Sequence, residues 1–74
     1  MLKSLQMMLQ FKTFNNGAMC ANTDTADSLE EAADIYARLL KRGFAVIPYD
    51  PQTGVEYWMN DEGKLLAIPN TPPA

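Results

Sequence analysis

Residues 27–43, DSLEEAADIYARLLKRG, decide the fold. They predict one amphipathic helix with a signal at each end. Ser28 can cap the first turn, and Glu31, three residues later, can reach back to Ser28 in the capping-box pattern. Gly43 suits the left-handed position that commonly ends a helix. Acidic side chains crowd the first half and basic ones the second, which complements the helix dipole.

One side of this helix is apolar. At about 100° per residue, six apolar side chains share a stripe, and these are Leu29, Ala32, Ala33, Tyr36, Leu39 and Leu40. The charged side chains fall on the other side, and these are Glu30, Glu31, Asp34, Arg38, Lys41 and Arg42. We therefore expect the remaining elements to pack against the apolar stripe.

Residues 5–14, LQMMLQFKTF, can form a strand or a helix. In a strand the residues alternate nearly strictly, with one face formed by Leu5, Met7, Leu9 and Phe11 and the other by Gln6, Met8, Gln10 and Lys12. In a helix, a short stripe would contain Leu2, Leu5, Met8 and Leu9. The β-favouring end FKTF and the lack of a clear cap favour the strand.

A hairpin should follow this first strand. Asn16-Gly17 is a preferred pair for a tight turn, because both central residues need positive φ. The second strand would then occupy roughly residues 18–22, although its small and flexible side chains make it a weak strand. Residues 23–27 read as a polar connector into the helix.

After the helix the pattern predicts three more strands. Residues 44–49, FAVIPY, form an apolar run that suggests a strand covered on both faces, and Pro48 should end this strand or lie beside an edge. Turn sequences at 50–54 and 60–63 separate it from strands at 55–59 and 64–68. The short turns predict a meander. The order is ββαβββ, which indicates an α+β two-layer sandwich with one helix packed on a mostly antiparallel sheet.

Length and composition limit the classes of function. The 74 residues predict one domain over 1–68 and a loose proline-rich tail over 69–74. Cys20 is the only cysteine and there is no histidine, so an internal disulfide is excluded and neither a zinc site nor any cofactor is expected. A single unpaired cysteine favours a reducing compartment, and we expect a cytoplasmic protein without a membrane segment.

The charge pattern argues against nucleic acid as a partner. Six basic and nine acidic residues give a net charge of −3, whereas nucleic-acid binding usually requires a basic excess on one face. The basic trio of Arg38, Lys41 and Arg42 is explained by the helix dipole. Weak nucleic-acid binding through this trio and Lys64, with stacking on Trp58 or Tyr57, nevertheless remains an alternative function.

The sequence gives no sign of an enzyme. Ser28 is explained as a cap, and Cys20 has no histidine to activate it, so it reads as a small apolar core residue. The carboxylate pairs fall on expected caps, turns and solvated faces, and no glycine-rich phosphate loop is present.

One helix cannot cover both sides of the expected sheet. Large apolar groups fall on both sides of the last strands, so we expect an uncovered face that binds another protein or a second copy of the chain. Tryptophan, tyrosine and methionine are enriched in the centres of interfaces. The candidate partner-binding residues are Trp58, Tyr49, Ile47, Met8 and Glu56.

Small size, mild acidity and missing catalytic groups predict a non-enzymatic protein–protein interaction module. Compact inhibitors encoded by phages and mobile elements have a similar composition, so one form of this hypothesis is an inhibitor that occludes its partner. The alternative from another class is a homodimeric structural or regulatory protein that uses the same face on itself.

Overall fold

The sheet is built around one central strand. The computed structural model describes residues 7–69, and in it β1 (Leu9–Asn15) pairs antiparallel on both of its edges. One edge is occupied by β2 (Ala18–Cys20) and then β3 (Thr25–Ala26), and the other by β4 (Ala45–Tyr49). The helix α1 (Leu29–Lys41) lies between β3 and β4 in sequence, and β5 (Tyr57–Met59) and β6 (Leu65–Ala67) form a separate antiparallel hairpin.

These elements confirm the predicted α+β class, with one helix packed on antiparallel strands. Alternate residues of β1 are buried, as the strand pattern predicted, because Leu9, Phe11 and Thr13 face the helix. The core consists of Leu9, Phe11, Ala26, Ala32, Ile35, Leu39, Val46 and Leu65. Packing of α1 on this side therefore leaves the opposite side of the sheet without a helix from residues 7–69.

The helix has the predicted cap, with one difference. The Ser28 hydroxyl accepts a hydrogen bond from the Glu31 backbone N–H at 3.1 Å. The Glu31 carboxylate accepts from the backbone N–H of Asp27 at 2.9 Å, not from that of Ser28. The backbone N–H groups of Asp27 and Glu31 at the helix start therefore both have a hydrogen-bond acceptor. After the helix, Gly43 has a φ of 95°, the left-handed conformation expected there.

The buried side of α1 differs from the predicted stripe. Ile35, which the stripe omitted, is buried together with Ala32 and Leu39. Leu29 and Leu40, which the stripe included, are 37% and 44% exposed. The spacing of three and four residues from Ala32 to Ile35 to Leu39 keeps these side chains over the sheet. Leu29 and Leu40 lie about 90° away around the helix and are left at its flank.

The second strand is interrupted. The hairpin turn has positive φ at Asn16 (54°) and Gly17 (81°), as predicted. β2 ends at Cys20, earlier than expected, and pairing resumes at β3 inside the predicted polar connector. Between them, residues 21–24 lie opposite only two residues of β1. A local turn, in which the Asn22 side-chain oxygen accepts from the backbone N–H of Asp24 at 2.9 Å, takes up the extra length.

The prediction that the strand after the helix is covered on both faces is wrong. Val46 and Pro48 are buried, whereas Ala45 is exposed and Ile47 and Tyr49 are half-buried. The apolar run reflects a strand that is well packed on one side only. Pro48 does not end the strand, because it pairs with Phe11 and is followed by Tyr49. The predicted alternative is confirmed, because β4 is an outer strand of the four-stranded sheet.

The predicted meander is incomplete. β5 and β6 pair as a hairpin, but β4 and β5 are joined by a single bridge between Tyr49 and Glu56. The Asn60 side-chain oxygen stabilises the hairpin turn by accepting from the backbone N–H groups of Glu62 and Lys64, both at 2.9 Å. Predictions for residues 5 and 6 and for the tail over 70–74 lie outside the described residues.

Candidate interaction surface

The side of the sheet that faces away from α1 forms one continuous surface, which we name the open face. Residues that oppose each other in an antiparallel pair project to the same side. Two such pairs between β1 and β4 are Gln10 with Tyr49 and Lys12 with Ile47. Leu9, Phe11 and Thr13 of β1 are buried against the helix, so Gln10 and Lys12 between them project to the other side. Both pairs therefore belong to the open face.

The hairpin extends the open face. Tyr49 opposes Glu56, which precedes β5, and Trp58 opposes Leu66. The backbone N–H of Ile68 donates to the Glu56 carbonyl oxygen at 2.8 Å, which continues the pairing by one step. Glu56, Trp58, Leu66 and Ile68 therefore follow the same alternation and lie on one side of the hairpin.

Three exposed apolar side chains of the open face lie together on this hairpin. Trp58, Leu66 and Ile68 are 47%, 42% and 41% exposed, and we name them the hairpin cluster. Their strand neighbours Tyr57 and Met59 pack against the core on the opposite side. Three large apolar side chains on one side of a short hairpin form a site where burial by a partner would remove apolar area from water.

A polar network lies beside the hairpin cluster. The Lys12 ammonium is 3.0 Å from a Glu56 carboxylate oxygen and 5.1 Å from the centre of the Tyr49 ring. The Tyr49 hydroxyl donates to the Gln10 side-chain oxygen at 2.8 Å. These contacts orient the Tyr49 ring across β1 and β4. Lys12 and Glu56 contribute one positive and one negative charge to the centre of the open face, so the net charge of that centre is zero.

Four of the five candidate residues from the sequence lie on the open face: Ile47, Tyr49, Glu56 and Trp58. Met8 is exposed and precedes β1, outside the paired strands. Sequence reasoning missed Lys12, Leu66 and Ile68. The turn at 60–63 could have revealed Leu66, because it fixes the register that places Leu66 opposite Trp58.

Other candidate chemistries find little support within residues 7–69. Cys20 is half-buried, not enclosed in the core as expected, and its thiol lies 3.6 Å from the Ala18 carbonyl oxygen. Asp50 accepts hydrogen bonds within its own turn, including one from the Gln52 N–H at 2.8 Å. No cluster of three or more potential metal ligands occurs in this part of the chain, and none of its helices is long and apolar enough to cross a membrane.

Comparison with known proteins identifies no relative. No protein-family model, no curated protein and no solved structure matches this chain.

Proposed function

We propose that this protein is a non-enzymatic protein–protein interaction module that binds another protein through its open face. The observation that carries the proposal is the hairpin cluster, in which Trp58, Leu66 and Ile68 are all more than two-fifths exposed on one side of the hairpin. Tryptophan is among the residue types that contribute most to binding energy at interfaces. Trp58 is the proposed anchor, and the Tyr49 ring, which is oriented by its hydrogen bond to Gln10, adds a second aromatic group to the open face.

The polar network suits a protein partner. Lys12 and Glu56 are each more than one-third exposed although they are paired. They can therefore exchange part of their contact for a partner's charged groups at the rim of an interface that is centred on the hairpin cluster. Polar rims around apolar centres are the usual arrangement in protein complexes. An inhibitor that occludes its target would use the open face in the same way.

Nucleic acid is a weaker candidate for this surface. Lys12 is already paired with Glu56, and Arg38 pairs with Asp24 at 3.4 Å on the helix side of the molecule. A phosphate backbone is usually bound by several unpaired basic groups along one face. The open face offers aromatic rings for stacking, but its central charges cancel.

The test is capture of a partner from the native host by the immobilised full chain, compared with a Trp58→Ala variant. We expect a protein that binds the wild type saturably and binds Trp58→Ala at least about tenfold more weakly, since truncation of a hot-spot residue costs about 2 kcal/mol or more. Leu40→Gln is the matched control, because Leu40 is an exposed apolar residue of α1, which packs on the other side of the sheet from the open face.

Equal capture by wild type and Trp58→Ala would contradict the proposal. A Trp58→Ala chain that has lost its helical circular dichroism would also contradict it, because Trp58 would then be a core residue. Self-association that Trp58→Ala abolishes, measured by light scattering, would replace the partner protein with a second copy on the open face.

A further inference from the structure

A second apolar surface lies on the flank of α1, away from the open face. Leu29, Ala33, Tyr36 and Leu40 are spaced by four, three and four residues, which places them on one line along the helix. Leu29 and Leu40, at its two ends, are exposed, and Ala33 and Tyr36 are half-buried. We name this line the helix flank. Its spacing is that of helices that pack side by side.

The first half of the helix flank borders a groove. The groove has a volume of about 590 Å³ and lies between α1 and the β5–β6 hairpin. Leu29 and Ala33 from the helix and Leu65 and Leu66 from the hairpin supply apolar walls. This space is large enough for a leucine or similar side chain, because ligand clefts have volumes of about 300–1,000 Å³.

The two halves of the helix carry opposite charge. Glu30 and Asp34 line the groove, and within residues 7–69 neither takes part in an ion pair. Asp34 lies beyond the first turn, so the helix dipole does not account for it. In the second half, Lys41 is the basic residue that lies nearest to the exposed Leu40 around the helix, whereas Arg38 lies on the far side and pairs with Asp24. The groove also has one basic residue, Lys64, on the hairpin side.

We propose that the helix flank binds a second copy of this chain, with the two α1 helices antiparallel. In that arrangement Leu29 of one copy lies opposite Leu40 of the other, and the small Ala33 lies opposite the large Tyr36. Lys41, which lies beside Leu40, then approaches Glu30 and Asp34 across the interface. The same contacts occur twice about a two-fold axis, as in a closed homodimer.

Leu40 of each copy enters the groove of the other copy. This removes Leu29 and Leu40 from water together, while opposite charges meet at the rim. A 13-residue helix is only about 20 Å long. The interface is therefore small, the dimer is expected to be weak, and most of the open face stays accessible in each copy.

The first test is the mass of the full chain in solution by sedimentation equilibrium, up to about 1 mM because small interfaces dissociate at low concentration. We expect a monomer–dimer equilibrium that Leu40→Gln weakens about tenfold or more, since burial of a leucine stabilises by about 1.5–3 kcal/mol. Met19→Gln and Trp58→Ala are controls, and both should keep the wild-type dissociation constant. These controls separate the helix flank from the open face.

The second test exchanges charges. Glu30→Lys and Lys41→Glu chains should each be monomeric, because each homodimer would place like charges opposite one another. An equimolar mixture of the two variants should form the dimer again, because opposite charges meet at both symmetric positions. Gln52→Lys, in the exposed turn after β4, is the charge control. Introduced as a second substitution into either variant, it should not restore association.

Three results would overturn the proposal: a monomer throughout the concentration range, a dimer that Leu40→Gln leaves unchanged, or variants that fail to associate when mixed. Loss of the dimer in Trp58→Ala would also overturn it, because the contact would then use the open face. Circular dichroism checks that each surface variant remains helical, and the recovery of association on mixing is itself evidence of folded chains.

Discussion

Lys12 and Glu56 join the central strand to the hairpin across β4. The Lys12 ammonium lies 3.0 Å from the Glu56 carboxylate. Lys12 belongs to β1 and opposes Ile47 of β4, and Glu56 forms the single bridge from β4 to the hairpin. The ion pair therefore reinforces the place where the strand pairing is weakest, although both side chains are partly exposed to solvent.

Because this ion pair is partly exposed, its contribution to stability should be small. We expect Glu56→Gln to lower the free energy of unfolding by less than about 1 kcal/mol, with a smaller effect in high salt. Urea unfolding at low and high salt measures this change, and Glu62→Gln, which neutralises an exposed acid in the hairpin turn, is the control. A salt-independent loss of more than about 2 kcal/mol would mean that the pair is buried.

Adjacent leucines in β6 should respond very differently to truncation. Leu65 is 4% exposed and belongs to the core, whereas Leu66 is in the hairpin cluster. Leu65→Ala should cost about 2–5 kcal/mol, because it removes buried apolar surface and leaves a cavity. Leu66→Ala should cost less than about 1 kcal/mol, since its side chain is already partly hydrated. Equal losses in urea unfolding would show that the hairpin is covered on both sides.

The sequence was informative wherever local chemistry decides the structure. The Ser28 cap, the Asn16-Gly17 turn and the turn closed by the Asn60 side chain depend on neighbouring residues, and each is present. Alternation in β1 also identified its buried face. These features do not require knowledge of which elements meet in space.

The parts that sequence reasoning missed depend on tertiary placement. β3 exists because Thr25 and Ala26 meet β1 after a detour through residues 21–24, and nothing in their composition predicts a strand. Leu29 and Leu40 look like core residues on a helical wheel, but the sheet covers only the side centred on Ile35. Leu66 and Ile68 can be assigned to the open face only from the register of the hairpin.

The helix cap should have a measurable effect. The Ser28 hydroxyl satisfies the Glu31 backbone N–H at 3.1 Å. Ser28→Ala should lower the free energy of unfolding by about 1 kcal/mol. Ser28→Asp should retain most of the stability, because the carboxylate can accept the same hydrogen bond and interacts favourably with the helix dipole. Loss of stability in Ser28→Asp equal to that in Ser28→Ala would argue that the hydroxyl acts in another way.

Within residues 7–69, one helix covers one side of the β layer, and Trp58 on the other side is 47% exposed. Trp58 is the only tryptophan, so its fluorescence reports on this side alone. The direct measurement is acrylamide and iodide quenching of the full chain at a concentration where light scattering finds a monomer. We expect a red-shifted emission that both quenchers reduce strongly. A blue-shifted emission that resists both quenchers in the monomer would contradict the account.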